Sequence, residues 1–308
     1  MNFRTLADGS HIPILGLGTA TSKPNEIGIA IKAALEAGYR YFDLAFMYQN
    51  QKEIGVAFAE AFASGKYKRE DLWITSKLSH THHHAQDVMP EFQQTLKDLQ
   101  LQYLDLYLMH HSFCVINNGE MFPVNEDGTR KLDPNPPPVI ETWREMEKIK
   151  EAGLAKHIGV SNFKVQLLND LYAAAKIKPE DNQVELHPYH QQNGLVDFCQ
   201  KKGIHVTAYS PLMHIGQSAE FDPFKEPILQ KIAAKHQKSI TQIMIRWGLQ
   251  RNPNISVIPK SVTPSRIKEN IDVFDFELDA DDMNQIAPLD KKRSLFDIQK
   301  LWGIQVFD

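Results

Sequence analysis

Cysteine is nearly missing from this chain, with two residues, Cys114 and Cys199, among 308. Two thiols cannot build a disulfide framework, so the fold must rest on a hydrophobic core, and a reducing cytoplasmic location is the expectation. Long apolar runs are missing as well. No stretch approaches about 18 apolar residues, which excludes a spanning helix. The opening MNFRTLADGSHIPIL lacks the apolar segment of a signal peptide, so no secretion is expected. An excess of positive charge is also lacking: the formal net charge is −4 and no basic stripe stands out, which argues against a nucleic-acid partner. No shift in composition marks a domain boundary, so residues 1–308 are expected to form a single domain.

What is present is an alternating pattern on ample core material, with 42% hydrophobic and 23% charged residues. TLADGSHIPIL carries an Asp-Gly turn signal between short extended runs and predicts an N-terminal β-hairpin. ILGLGT then reads as a strand. Residues 25–36 place Ile27, Ala30, Ile31, Ala34 and Leu35 on one helical face, with Gly38 as a C-terminal cap. Strands follow at RYFDL, LWITSK, YLDLYLMH, AKHIGVSN, NQVEL, IHVTAYS and ISVIPK. The helices between them lie near residues 51–63, 85–99, 139–152, 164–175, 194–202, 227–236 and 241–250. The last regular helix is expected at 264–273. Two long polar stretches interrupt, residues 112–138 after the fourth strand and 211–226 after the seventh. A loop of that length usually covers a site or moves.

Eight strand–helix units in order imply a parallel sheet, and near-continuous apolar strands favour an α/β fold of the (β/α)8 TIM-barrel type. A doubly wound open sheet would want a Gly-rich dinucleotide turn, and GLGT lacks that spacing. In a barrel, the C-terminal strand ends converge on the functional face. Here they deliver Asp43, Lys77, His110, Ser161, Asn162, Gln183, Tyr209 and Lys260, nearly all polar, with Tyr48 five residues beyond Asp43. An acid, a phenol, an amine and an imidazole form a proton-handling set. In the last unit, Thr263 reads as an N-cap and Pro264 as the first helical position. Lys260, Ser261 and Arg266 flank that helix start, which makes an anion site.

The runs GLGT, GYRYFDLAFMYQN, WITSKL, LDLYLMH, GVSNF, NQVELHPY, TAYSPL and IPKSVTPSRIKEN together resemble the aldo-keto reductases of the aldose/aldehyde reductase branch, across almost the whole chain. The resemblance implies an NADPH-dependent oxidoreductase that reduces aldehydes, aldoses or ketones to alcohols. Carried over by position, Tyr48 is the general acid, Lys77 lowers its pKa, Asp43 holds Lys77, and His110 orients the carbonyl. Tyr209 stacks on the nicotinamide, and Ser161, Asn162 and Gln183 bind its carboxamide. Thr19 and Asp43 line the nicotinamide end, and Ser210 and Leu212 follow the pyrophosphate. Lys260, Ser261 and Arg266 clamp the 2′-phosphate, and Glu269 and Asn270 meet the adenine. The family pattern also implies a monomer with a small-molecule carbonyl substrate as partner.

Three pocket aromatics of the family are replaced, by Ala20, Ser79 and His111, while Phe122 matches a fourth. Tyr48, His110, His111 and Phe122 are therefore the expected substrate contacts, in a wider and more polar pocket. The tail from Leu289 does not resemble the family's usual substrate loop. Three other readings compete. The histidines at 80, 82, 83 and 84 suggest a metal, but consecutive side chains point apart and no cysteine lies nearby, so a solvated loop and no metal are expected. A catalytically silent NADPH-binding protein of the same fold is the second reading, and the intact set Asp43, Tyr48, Lys77 and His110 counts against it. Operation as an alcohol dehydrogenase in the oxidative direction would use the same residues.

Overall fold

Strand and helix alternate as the apolar pattern requires. The computed structural model describes residues 2–213, 222–292, 294, 295 and 303. A two-stranded antiparallel hairpin, β1 (Phe3–Thr5) and β2 (His11–Pro13), comes first, with Phe3 opposite Pro13. Its turn closes where Gly9 takes φ 87° and Asp8 Oδ1 accepts from the Ser10 N–H at 3.0 Å.

The barrel strands follow: β3 (Leu17–Gly18), β4 (Tyr41–Asp43), β5 (Trp73–Leu78), β6 (Leu104–Met109), β7 (Ala155–Ser161), β8 (Asp181–Glu185), β9 (His205–Tyr209) and β10 (Ile255–Ile258). They lie in one eight-stranded sheet in chain order. Parallel bridges Leu15–Val257 and Gly18–Lys260 join its first strand region to its last, giving a nearly closed α/β barrel. Between the strands run α1 (Ile27–Ala37), α2 (Gln51–Ala63), α3 (Ala85–Leu99), α4 (Val139–Glu151), α5 (Val165–Ala174), α6 (Asn193–Lys202), α7 (Pro227–His236) and α8 (Ile240–Gln250). After β10 come α9 (Pro264–Ile271) and α10 (Ala280–Ile286).

The chain divides into two compact units, one of residues 1–42 and 184–295, the other built on Asp43–Gln183. In the first, α1 buries Ile27, Ala30, Ile31, Ala34 and Leu35, the face read from the sequence, and packs on α9. Gly38 ends α1 at φ 102°, a left-handed conformation that costs glycine little. In the second, the fully buried Phe92 meets Tyr107 edge to face, with ring centroids 4.8 Å apart. A β-carbon on Gly55 of α2 would fall 2.2 Å from the Asp98 carbonyl of α3, so these helices touch backbone to backbone. β5 and β6 are buried at every position, as expected of strands covered on both faces.

Three expectations need correction. The helix at 264–273 ends at Ile271 and is not the last, because α10 follows. It was hidden because its seven residues carry few apolar positions. Its signal was a capping box, in which Asp279 accepts from the Asp282 N–H and Asp282 from that of Asp279. Thr263 does precede α9, with Pro264 at its first position, but its side chain makes no capping hydrogen bond. The histidine run is not a solvated loop: His80 and His83 are buried, and His82 and His84 are partly so. The 112–138 loop is tied by antiparallel bridges Val115–Leu132 and Val124–Arg130. Most of the second polar stretch, residues 214–221, and most of the tail after Leu295 lie outside the described residues.

Candidate active site

Short local devices place the proton-handling set. β4 ends at Asp43, and Ala45 is extended (φ −159°). A single 3-10 turn, Phe46–Tyr48, then brings Tyr48 back before α2 begins. Lys77, on β5, has a wholly buried side chain. Its ammonium donates to Asp43 Oδ1 at 2.5 Å and to the Leu44 carbonyl at 2.7 Å, and lies 5.2 Å from the centre of the Tyr48 ring. Burial alone would discharge Lys77. Asp43 and Tyr48 outweigh it, so the ammonium is held above its ordinary value. Burial also pushes the Asp43 carboxyl up, against the pull of Lys77 and Gln183.

Tyr48 departs from expectation. Lys77 does pull its hydroxyl down, but burial is the larger effect and the Asp43 charge adds to it, so the phenol ends above its usual value. It therefore stays protonated at neutral pH. The His110 ring stands edge-on to it, with centroids 5.7 Å apart. Burial first, then His111, Lys77, His80 and His83, hold His110 well below the usual histidine range, so it is a neutral imidazole.

A hydrogen-bond chain continues from this set. Gln183 Nε2 donates to Asp43 Oδ2 at 2.6 Å, and Ser161 Oγ donates to the Gln183 carbonyl at 2.8 Å. Asn162 donates through Nδ2 to the His110 carbonyl at 2.9 Å. It holds φ 66°, which asparagine tolerates better than most residues, and this turns its amide back toward the site. Asp43, Lys77, His110, Ser161, Asn162 and Gln183 are all buried.

Among the expected substrate contacts, His111 lies flat on His110 at 4.7 Å and 7° between planes. His80 stands 5.8 Å from His111 and 5.9 Å from Phe122, and its Nε2 meets the Met121 carbonyl at 3.1 Å. Phe122 is exposed, with the Arg130 guanidinium 4.7 Å above its ring. His80 is the residue that sequence reasoning missed here. Its position two residues past the end of β5 was the available signal. Ser79 does not leave open space where the family has an aromatic. Its hydroxyl is buried, donates to Glu91 of α3 and lies 2.9 Å from Thr81 Oγ1.

The remaining expected residues belong to the first unit. Thr19, Ser261 and Asn270 are buried, and Tyr209, Ser210 and Leu212 are half-buried. Lys260, Arg266 and Glu269 are exposed. Ser261 Oγ accepts from the Thr263 N–H at 3.1 Å, just before α9. Two exposed cations at a helix start whose first residue is Pro264 form a donor set suited to a phosphate monoester.

Residues 14–291 match the sequence profile of the Aldo/keto reductase family. The chain belongs to that family. Among its curated relatives, aldo-keto reductase family 1 member A1 of Gallus gallus is 46% identical over 295 residues, covering 94% of this chain and 89% of the relative. The protein of the same name from Homo sapiens is 44% identical over 294 residues, covering 93% and 88%. Among solved structures, an aldose reductase from Schistosoma japonicum superposes with a TM-score of 0.92 at 39% identity, covering 100% of this chain and 98% of that one. An aldose reductase from Giardia lamblia gives 0.90 at 40% identity, covering 96% and 98%. Membership makes this aldo/keto reductase an oxidoreductase of small-molecule carbonyls that works with a nicotinamide cofactor. Among the described residues, no helix is long and apolar enough to cross a membrane.

Proposed function

We propose that this aldo/keto reductase reduces aldehydes, aldoses or ketones to alcohols with NADPH, and that Tyr48 is the general acid. The observation that carries the reading is the wholly buried Lys77, paired with Asp43 and set behind a protonated Tyr48. A buried charge pair is costly to keep. Here it lies where a phenolate would need a cation.

NADPH supplies a hydride to the carbonyl carbon when bound. Tyr48 gives its O–H proton to the carbonyl oxygen as negative charge grows there. Lys77 stabilises the phenolate left behind, and Asp43 keeps the ammonium charged and aimed. Neutral His110 donates a hydrogen bond that orients the carbonyl without competing for the proton. Ser161, Asn162 and Gln183 have the amide and hydroxyl groups to hold a carboxamide. Tyr209 offers a ring for stacking, with Thr19 nearby in the carried-over pattern and Ser210 and Leu212 along the pyrophosphate. Lys260, Ser261 and Arg266 would hold a 2′-phosphate, and Glu269 and Asn270 an adenine. His111 and Phe122 would contact the substrate.

A single domain over residues 1–308, a monomeric state and a cytoplasmic location belong to the same proposal. The continuous sheet supports the first, and two buried cysteines that form no disulfide accord with the last. The test follows NADPH absorbance with a panel of small aldehydes and aldoses, wild type beside Tyr48→Phe. Turnover that falls about a hundredfold or more in the variant is expected. Tight NADPH binding with no turnover on any carbonyl would instead favour a silent binding protein.

A further inference from the structure

Outside the active site, the last histidine of the 80–84 run meets groups far from it in sequence. His84 Nε2 lies 2.7 Å from Asp133 Oδ2, and Cys114 Sγ lies 3.6 Å from the same oxygen. The three ligand atoms all fall within 4.8 Å of one another. Nitrogen, thiol sulfur and carboxylate oxygen are the donors zinc takes, and a tetrahedral zinc keeps its ligands at about 2.0–2.3 Å, hence roughly 3–4 Å apart. The imidazole–carboxylate pair therefore needs to open slightly, and the thiol needs to approach the imidazole by at most about 1–2 Å.

The surroundings meet the other requirements of a metal site. Asp133 Oδ1 accepts from the Asn135 N–H at 2.8 Å, and the Asp133 N–H donates to the Cys114 carbonyl at 3.0 Å, so Asp133 is held by a further partner and its backbone is tied to that of Cys114. Thr142 Oγ1 donates to the His83 carbonyl at 2.6 Å and anchors the backbone just before His84. The Cys114 and Asp133 side chains are largely buried, whereas His84 is 34% exposed and gives an ion its way in. Of the histidine run only His84 takes part, so the run itself is not the site.

We propose that His84, Cys114 and Asp133 bind a zinc-class divalent cation, with water in the fourth position. This goes beyond the reductase reading and is independent of it. On binding, Cys114 gives its thiol proton to solvent and coordinates as thiolate, His84 coordinates through Nε2, and Asp133 through Oδ2. The cation would fasten the two ends of the 112–138 loop, which carries Phe122, to the start of α3.

The experiment titrates Co²⁺, then Zn²⁺, into the untagged full chain stripped with chelator, followed by calorimetry and absorption. One equivalent is expected, with a thiolate-to-cobalt charge-transfer band, proton release and a higher melting temperature. Cys114→Ser should abolish the band, and His84→Gln should weaken affinity by at least about tenfold. His84 is partly exposed, and serine at 114 can still donate to Asp133, so both variants should fold; circular dichroism and NADPH binding confirm that they do. The absence of saturable binding, or binding whose affinity and spectrum survive both substitutions, overturns the site. In that case the three side chains are only a hydrogen-bonded clamp.

Discussion

Removing Lys77 should damage stability as well as turnover. The Lys77 and Asp43 side chains are 0% and 3% exposed and their charged atoms stand 2.5 Å apart. Lys77→Met takes away the ammonium and leaves Asp43 buried without its counter-charge, a change that costs about 3–5 kcal/mol. At roughly 2 °C per kcal/mol for a chain of this size, the melting temperature should fall by about 6–10 °C. Asp43→Asn should cost less, because a buried lysine can shed its proton. The double variant Asp43→Asn/Lys77→Met buries no charge, so it should be destabilised by less than the sum of the singles, with a coupling of about 1.5–3 kcal/mol. The pH dependence adds a check with a definite sign. In Lys77→Met the Asp43 carboxyl has a raised folded-state pKa, since burial already pushes it up even with Lys77 present. The stability this confers is complete below the unfolded value near 3.9 and is lost as pH rises through the folded value, so the deficit against wild type should be smaller at pH 5 than at pH 8. Urea denaturation of the four proteins at both pH values measures all of this. Additive single effects within about 0.5 kcal/mol, or a Lys77→Met cost below about 1 kcal/mol, would refute the picture of a desolvated pair.

Lys260→Ala and Arg266→Ala each remove one exposed cation, so each should cost about 1.5–3 kcal/mol of NADPH affinity, or roughly 10- to 150-fold. NADH affinity should stay unchanged, as measured by fluorescence titration of both cofactors; equal losses for both would remove the 2′-phosphate assignment. Burial depresses His80 to about 4 and His83 and His205 to about 3. Such groups stabilise the fold above the unfolded value near 6.5 and lose that contribution as pH falls through 6.5 toward 4 and 3. Each should cost about 2 kcal/mol by pH 5, giving a combined loss on the order of 6 kcal/mol relative to pH 7.5. A urea midpoint that is flat between those pH values would contradict the buried, neutral imidazoles.

The fold was legible because its signals are local. The 3.6-residue face of α1, its glycine cap and the continuous apolar strands β5 and β6 each point to one structure, and the structure agrees at each. That the proton-handling side chains would come together was legible for a related reason: a barrel converts strand ends into a ring, so Asp43, Lys77 and His110 could be gathered from their positions alone. What escaped depends on contacts between distant segments. His80 and His83 read as solvent-facing because the sequence does not show that the loop beyond β6 and the start of α4 pack against this segment. Met121 at His80 and Thr142 at the backbone of His83 make that cover. Ser79 read as a missing wall because Glu91, twelve residues on, is invisible as its partner until α3 packs. The Tyr48 shift was misjudged for the same reason. A neighbouring lysine can be inferred from spacing, but the amount of water removed from the phenol cannot, and desolvation is the larger effect. Sequence spacing thus identified the charges at this site, while burial determines which of them hold their protons.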